Sequence, residues 1–299
     1  ATIFFNRGGA SKLDTALCLA RSGKRPMTMP NFLIIGVAKA GTTALYAALQ
    51  QHAQIFMSPV KEPRFFTFSD NALTLCGPGA AAYRAWAITD LAAYQRLFDS
   101  VTTQTAIGEA SQDYLSCWQP ERTAAKIKRL IPHVRLIAVL RQPAERAYSS
   151  FAHQVQVGNE RERNFRQMLL AADHPDRRAW LSYRCKHDGF YYANLKPYFE
   201  HFTHEQLRVY LYEDWNTNPQ AMLSDIFQFL GVTPQITPAM SHRQNETTWV
   251  HHHIVADLLQ KPQALGDPTA QQALTSSPCC RLTSVESQET ATARPAVTK

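Results

Sequence analysis

The sequence predicts an α/β fold with a central, mostly parallel sheet flanked by helices. Three observations lead there. "FLIIGV" (32–37) is a continuous apolar run, the pattern of a strand buried on both faces. Further strand-like runs alternate with helix-like segments along the chain. A glycine-containing turn, "GVAKAGTT", stands directly between the first strand and the first helix.

Each element has its own signature. After the turn, Gly41 and Thr42 open a helix that carries Leu45 and Leu49 on one face. "TAIGEA" (105–110), "VRLIAVLR" (134–141) and "LRVYLYED" (207–214) are the other strand candidates. Helix-like segments cover 90–98, 120–131, 143–157, 190–202 and 217–230. Pro143 suits a first helical turn, and Gly231 suits the position that closes a helix.

The 299 residues are 45% hydrophobic and 18% charged, which is enough apolar material for one substantial core. Residues 31–261 read as one domain. Residues 1–30 lack the apolar stretch and cleavage pattern of a signal peptide and read as an unstructured leader. Residues 262–299, rich in Ser, Thr, Ala, Gln and Pro, read as a disordered tail. The net charge of +7 favours anionic partners, but no Arg/Lys run with interleaved aromatics points to nucleic acid. Cys18, Cys76, Cys117, Cys185, Cys279 and Cys280 form no C-x-x-C pair and no zinc spacing, so reduced thiols and a cytoplasmic location are expected. No apolar run reaches the length of a membrane span.

The turn after the first strand has the makings of an anion site. A helix N-terminus presents free N–H groups and partial positive charge. Lys39 adds a full charge, and Thr42 and Thr43 add hydroxyls. The plain alternative is a βα turn with incidental threonines. A metal-nucleotide loop of the G-x-x-x-x-G-K-[ST] type places its lysine after the last glycine, and a second strand ends in Asp to hold Mg²⁺. Here Lys39 precedes Gly41, and "VRLIAVL" ends in Arg141. Ser149, eight residues on and two helical turns in, is placed to converge with Arg141 on a phosphate. Two anion sites on one sheet suggest a nucleotide phosphorylated at two places, with no metal ion.

With both motifs in view, the chain resembles the PAPS-dependent sulfotransferases (PAPS is 3′-phosphoadenosine 5′-phosphosulfate), most closely bacterial members of the heparan-sulfotransferase-like type. "GVAKAGTTAL" is similar to that family's 5′-phosphosulfate loop, which implies cofactor contacts from Lys39, Ala40, Gly41, Thr42, Thr43 and Ala44. "LRQPAERAYSSF" is similar to its 3′-phosphate motif, which implies contacts from Arg141 and Ser149. "SPVKEPRFF", "IGEASQDYL", "DGFYYANLKPYF" and "RVYLYEDWNTNP" extend the likeness over about 31–245. The resemblance implies a P-loop-like nucleotide-binding fold, PAP (3′-phosphoadenosine 5′-phosphate) as product, and transfer of a sulfuryl group to a hydroxyl or amine of a glycan, lipid or small metabolite.

It also implies a base. In the resembled subfamily a glutamate at the place of Glu62 takes the acceptor's proton, with Lys39 assisting the leaving group. Phe65 and Phe66 are expected to shield Glu62 from water. Read without the resemblance, Glu62 is a surface residue paired with Lys61 or Arg64. Arg64 stands where relatives often have His. Glu109, at a strand end, is the rival base or a substrate-positioning group. Tyr191 and Tyr192 are expected to pack a helix, and His251, His252 and His253 to be solvated. After "SHRQN" (241–245) relatives continue with Lys, Arg or Gly over the 3′-phosphate, whereas this chain reads "ETTWVHHH", with Arg243 as the candidate substitute. Two other readings remain open at this point: a P-loop kinase or NTPase, and a non-catalytic module that binds anionic glycans. Acceptor selectivity is assigned to loops 69–104 and 159–188.

Overall fold

A computed structural model describes residues 28–70, 73–116 and 118–234. Its elements are β1 (Phe32–Gly36), α1 (Thr42–Leu49), β2 (Ile55–Met57), α2 (Phe65–Phe68), α3 (Ala80–Ala85), α4 (Leu91–Arg96), β3 (Ala106–Ala110) and α5 (Pro120–Leu130). They continue with β4 (Arg135–Leu140), α6 (Pro143–Gln156), α7 (Phe165–Ala171), α8 (Arg184–His187), α9 (Tyr191–His201), β5 (Leu207–Leu211), α10 (Tyr212–Thr217) and α11 (Pro219–Leu230). Every strand pairing is parallel, in the order β2-β3-β1-β4-β5.

β1 is central and buried at all five positions, as its unbroken apolar run requires. Phe32 lies level with Gly108 of β3. A Cβ on Gly108 would come within 2.2 Å of the Phe32 ring, so glycine leaves the space that the ring fills. After β1 the chain builds β2 and β3 on one side, then crosses to build β4 and β5 on the other. The crevice beyond the carboxyl ends of β1 and β4 is therefore the topological switch point, where open α/β sheets bind ligands.

Helix ends follow their local chemistry. Asp90 caps α4 by accepting from the Ala93 N–H at 2.8 Å, and Gln142 caps α6 by accepting from Glu145 at 2.7 Å. Gly231 closes α11 at φ 73°.

The structure corrects two expectations and adds a strand. The strand predicted over 207–214 stops at Leu211, and Tyr212 begins α10, whose first turn holds Glu213 and Asp214, residues that favour a helix N-terminus. β2, an edge strand of three residues, is too short to leave a period in the sequence. Besides the helix expected over 90–98, which forms as α4, the regions 69–104 and 159–188 carry helices α3, α7 and α8 among their loops. Among the described residues no helix is long and apolar enough to cross a membrane. Arg243, His251–His253 and the segments 1–27 and 235–299 lie outside the described residues.

Candidate active site

A cleft of about 670 Å³ opens at the switch point. One wall is the turn between β1 and α1. The Val37 N–H donates to Val139 O at 2.9 Å, which ties this turn to β4. Lys39 and Gly41 both take left-handed backbone conformations, φ 68° and 82°. At Gly41 a side chain would also strike Tyr212, whose ring would lie 2.9 Å from a Cβ. α1 starts immediately afterwards without a side-chain cap, and its first internal bond runs from Leu45 N–H to Gly41 O. The N–H groups of Thr42, Thr43 and Ala44 thus have no acceptor within the helix.

Lys39, Gly41, Thr42, Thr43 and Ala44 all line the cleft, together with Arg141 and Ser149. Ala40 does not. Its side chain is fully buried, and its N–H donates to Val37 O. Burial, and then the neighbouring Arg141, hold the Lys39 ammonium below its ordinary pKa.

Arg141 follows the last residue of β4. Its Nη1 donates to Lys39 O at 3.3 Å and its Nη2 to Glu145 at 3.1 Å, and the guanidinium lies 4.8 Å from the Tyr212 ring centroid. Its Nε is buried and donates to no described protein atom. An orphaned buried guanidinium N–H beside an exposed helix N-terminus is what a phosphorylated ligand would satisfy.

Glu62 stands on the other wall. Its N–H donates to Ala110 O at the end of β3. Its carboxylate accepts from Lys61 Nζ at 2.8 Å and from the Gln112 N–H at 3.1 Å. Burial raises its pKa, opposed by Lys61. Glu62 is thus both a cleft residue and the partner of Lys61. Phe65 and Phe66 pack with Tyr94, and Phe66 also with Tyr114.

Glu109 is corrected more strongly. It is fully buried and absent from the cleft lining. Its carboxylate accepts from the hydroxyls of Tyr94 (3.1 Å), Tyr114 (2.6 Å) and Ser111 (3.0 Å). Burial outweighs these donors and pushes its pKa to about 7. Ser111 Oγ also accepts from the Arg64 N–H, so Glu109 braces the segment after Glu62 from behind. Neither acceptor deprotonation nor acceptor positioning is open to it.

Sequence reasoning missed Tyr83, Arg184 and His153 of the cleft lining, and the buried Asp113. Arg64 and Arg184 converge on the buried Asp113, at 3.0 and 2.5 Å, and Tyr83 donates its hydroxyl to the same carboxylate at 2.7 Å. These residues come from distant parts of the chain, and no local spacing joins them. His153 also lines the cleft, with its pKa lowered by its packed surroundings and by Lys39. Its spacing of four from Ser149, one helical turn, was the available signal. Tyr191 packs as expected, donating to Arg141 O at 2.5 Å, but Tyr192 is exposed. Among the described residues no cluster of His, Cys, Asp and Glu suits a metal ion.

The family model described as the sulfotransferase domain matches residues 29–274. The chain belongs to the sulfotransferase family. This sulfotransferase is 34% identical to the sulfotransferase from Alicyclobacillus acidocaldarius, with a TM-score of 0.65 over 73% of this chain and 87% of that one. It is 30% identical over 230 residues to bifunctional heparan sulfate N-deacetylase/N-sulfotransferase 2 of Bos taurus, covering 73% of this chain and 24% of that protein. It is 29% identical to the corresponding bifunctional protein of Drosophila melanogaster, covering 69% of this chain and 20% of that protein. The chain thus spans about a quarter or less of these curated relatives. The enzyme's central parallel sheet with flanking helices is that of the family's P-loop-like nucleotide-binding fold.

Proposed function

We propose that this sulfotransferase moves a sulfuryl group from PAPS to an amine or hydroxyl of a glycan acceptor. The observation that carries this reading is the pairing of two anion-binding arms in one crevice: the Lys39–Ala44 turn and the Arg141–Ser149 arm. In this reading the first arm takes the 5′-phosphosulfate and the second, through the orphaned Arg141 Nε and Ser149, the 3′-phosphate. The glycan class is carried over from the names of the curated relatives. When bound, PAPS supplies an electrophilic sulfuryl group and an anionic leaving group.

The chain's own residues do the rest. Lys39 and the N–H groups of Thr42, Thr43 and Ala44 meet the negative charge that grows on the leaving side. Glu62 takes the proton from the acceptor's nucleophilic nitrogen or oxygen. Its raised pKa makes it a stronger base than an exposed glutamate. Lys61 and the Gln112 N–H hold the carboxylate in one orientation. Alignment of acceptor and donor across the cleft supplies much of the remaining acceleration.

Calorimetric titration tests the two-arm reading. PAP should bind far more tightly than AMP, because only PAP occupies both arms. Equal affinities would overturn it. A protein that binds glycans but not PAP would instead be a carbohydrate-binding module.

A further inference from the structure

α3 also lines the cleft, and α3 with the residues just after it is fastened to the Glu62 segment at three points. Arg64 Nη1 donates to Tyr83 O at 3.1 Å. The Ile88 N–H donates to Pro63 O at 2.9 Å. The Arg64 guanidinium lies over the Tyr83 ring, 3.8 Å from its centroid. The Tyr83 hydroxyl is anchored on buried Asp113, and Ala80 packs with Trp118 and Leu181 in a small separate core. At the other end Gly79 lies directly against Asn159, where a Cβ would come within 1.8 Å of Oδ1.

Trp86 sits inside this frame, between Tyr83 and Ile88. It lines the cleft, yet it is 78% exposed, and no described aromatic ring or cation stacks on it. A large apolar plane therefore lines the same cleft as Glu62 and is left uncovered. The lining of this cleft is largely polar and charged, with Lys61, Glu62, Arg64, Gln112, Asn159 and Arg184 among its side chains. An acceptor enclosed by apolar walls, such as a sterol or a phenol, has little to meet here. A pyranose ring matches both features. Its C–H face is apolar and suits an indole, and its hydroxyl or amine rim suits amides and charged groups.

We propose that Trp86 is the platform on which a pyranose ring of the acceptor stacks, so that its amine or hydroxyl is presented to Glu62. The proposal rests on the sulfotransferase reading above.

The test uses the full chain saturated with PAP, titrated calorimetrically with a glucosamine tetramer that has free amines, and in a second arm with 4-nitrophenol. Trp86→Ala should weaken tetramer binding by about tenfold or more. Trp86→Phe, which keeps a ring, should stay within about threefold of the unaltered protein. Thermal midpoint and PAP affinity should be preserved in both variants, since Trp86 is largely exposed. Equal tetramer affinity in Trp86→Ala overturns the platform. So does an unaltered protein that binds 4-nitrophenol but not the tetramer, or binds neither. Failure to bind PAP would bring down the proposed function itself. PAP binding with Trp86-independent tetramer binding brings down this inference alone.

Discussion

Arg141 donates through Nη1 to the backbone carbonyl of Lys39, 3.3 Å away and 102 residues distant in sequence. The bond joins the turn after β1 to the residue after β4, at the point where the sheet's strand order reverses. It also fixes two cations close together, and Arg141 contributes to the lowered pKa of Lys39. Two like charges held side by side in a partly buried crevice repel each other until an anion enters. That repulsion prepares the site for a multiply charged ligand.

Arg141→Ala should therefore erase most of the preference for PAP over AMP. A charge-assisted hydrogen bond contributes about 1.5–3 kcal/mol, which is roughly ten- to a hundredfold in affinity. AMP binding should change much less. Titration of both nucleotides against both proteins checks the difference.

Lys39→Ala should lower kcat more than it raises KM for PAPS, because in the proposed reaction the lysine meets charge that grows in the transition state. An effect confined to KM, measured in steady-state sulfuryl transfer, would mean that the lysine binds ground and transition states equally.

Glu62→Gln should reduce turnover by roughly 10²–10⁴-fold, the usual general-base contribution, with PAP affinity nearly unchanged. The base acts when ionised, so kcat/KM should fall as pH drops through its pKa. Burial raises that pKa, so the acid limb should lie above the ordinary glutamate value of about 4.3. Lys61 opposes the rise, so Lys61→Met should move the limb further up. A pH profile of each variant decides this.

Gly41→Ala should impair nucleotide binding and the fold together. The site needs φ 82°, and the added methyl would meet the Tyr212 ring at 2.9 Å. A left-handed non-glycine residue costs about 1–2 kcal/mol, and the contact adds to it. Chemical denaturation with and without PAP separates the two effects.

Glu109→Gln should change the pH dependence of stability while leaving Glu62's acid limb in place. The folded-state pKa of Glu109 is about 7, against about 4.3 in the unfolded chain. Between these values the folded protein holds more protons than the unfolded one, so this group makes stability fall as pH rises. The loss is complete above about pH 7 and absent below the unfolded value. Removing the carboxyl should flatten that slope. Thermal midpoints from pH 4 to 8, compared between the two proteins, measure it.

The sequence by itself determined most of the sheet and the half of the cleft that Lys39 and Arg141 line. The buried run of β1, the left-handed glycine before α1, and the step from Arg141 to Ser149 are local patterns. Each is set by backbone geometry or helical period over a few residues, so each is legible without a fold. The short edge strand β2 and the switch from β5 to α10 at Tyr212 escaped because their local signals were weak or overridden. The half around Glu62 was decided only by tertiary structure. Arg64, Tyr83, Asp113 and Arg184 are scattered over about 120 positions of the sequence and meet only because β3, α3 and α8 are brought to one end of the sheet. Glu109 and Glu62 were rival candidates in the sequence, each a carboxylate within a motif of the resembled family. The fold separates them by a single fact of packing: one side chain turns into the core among Tyr94, Tyr114 and Ser111, and the other turns into the cleft beside Lys61. Which way a side chain faces depends on what covers it, and what covers it comes from elsewhere in the chain.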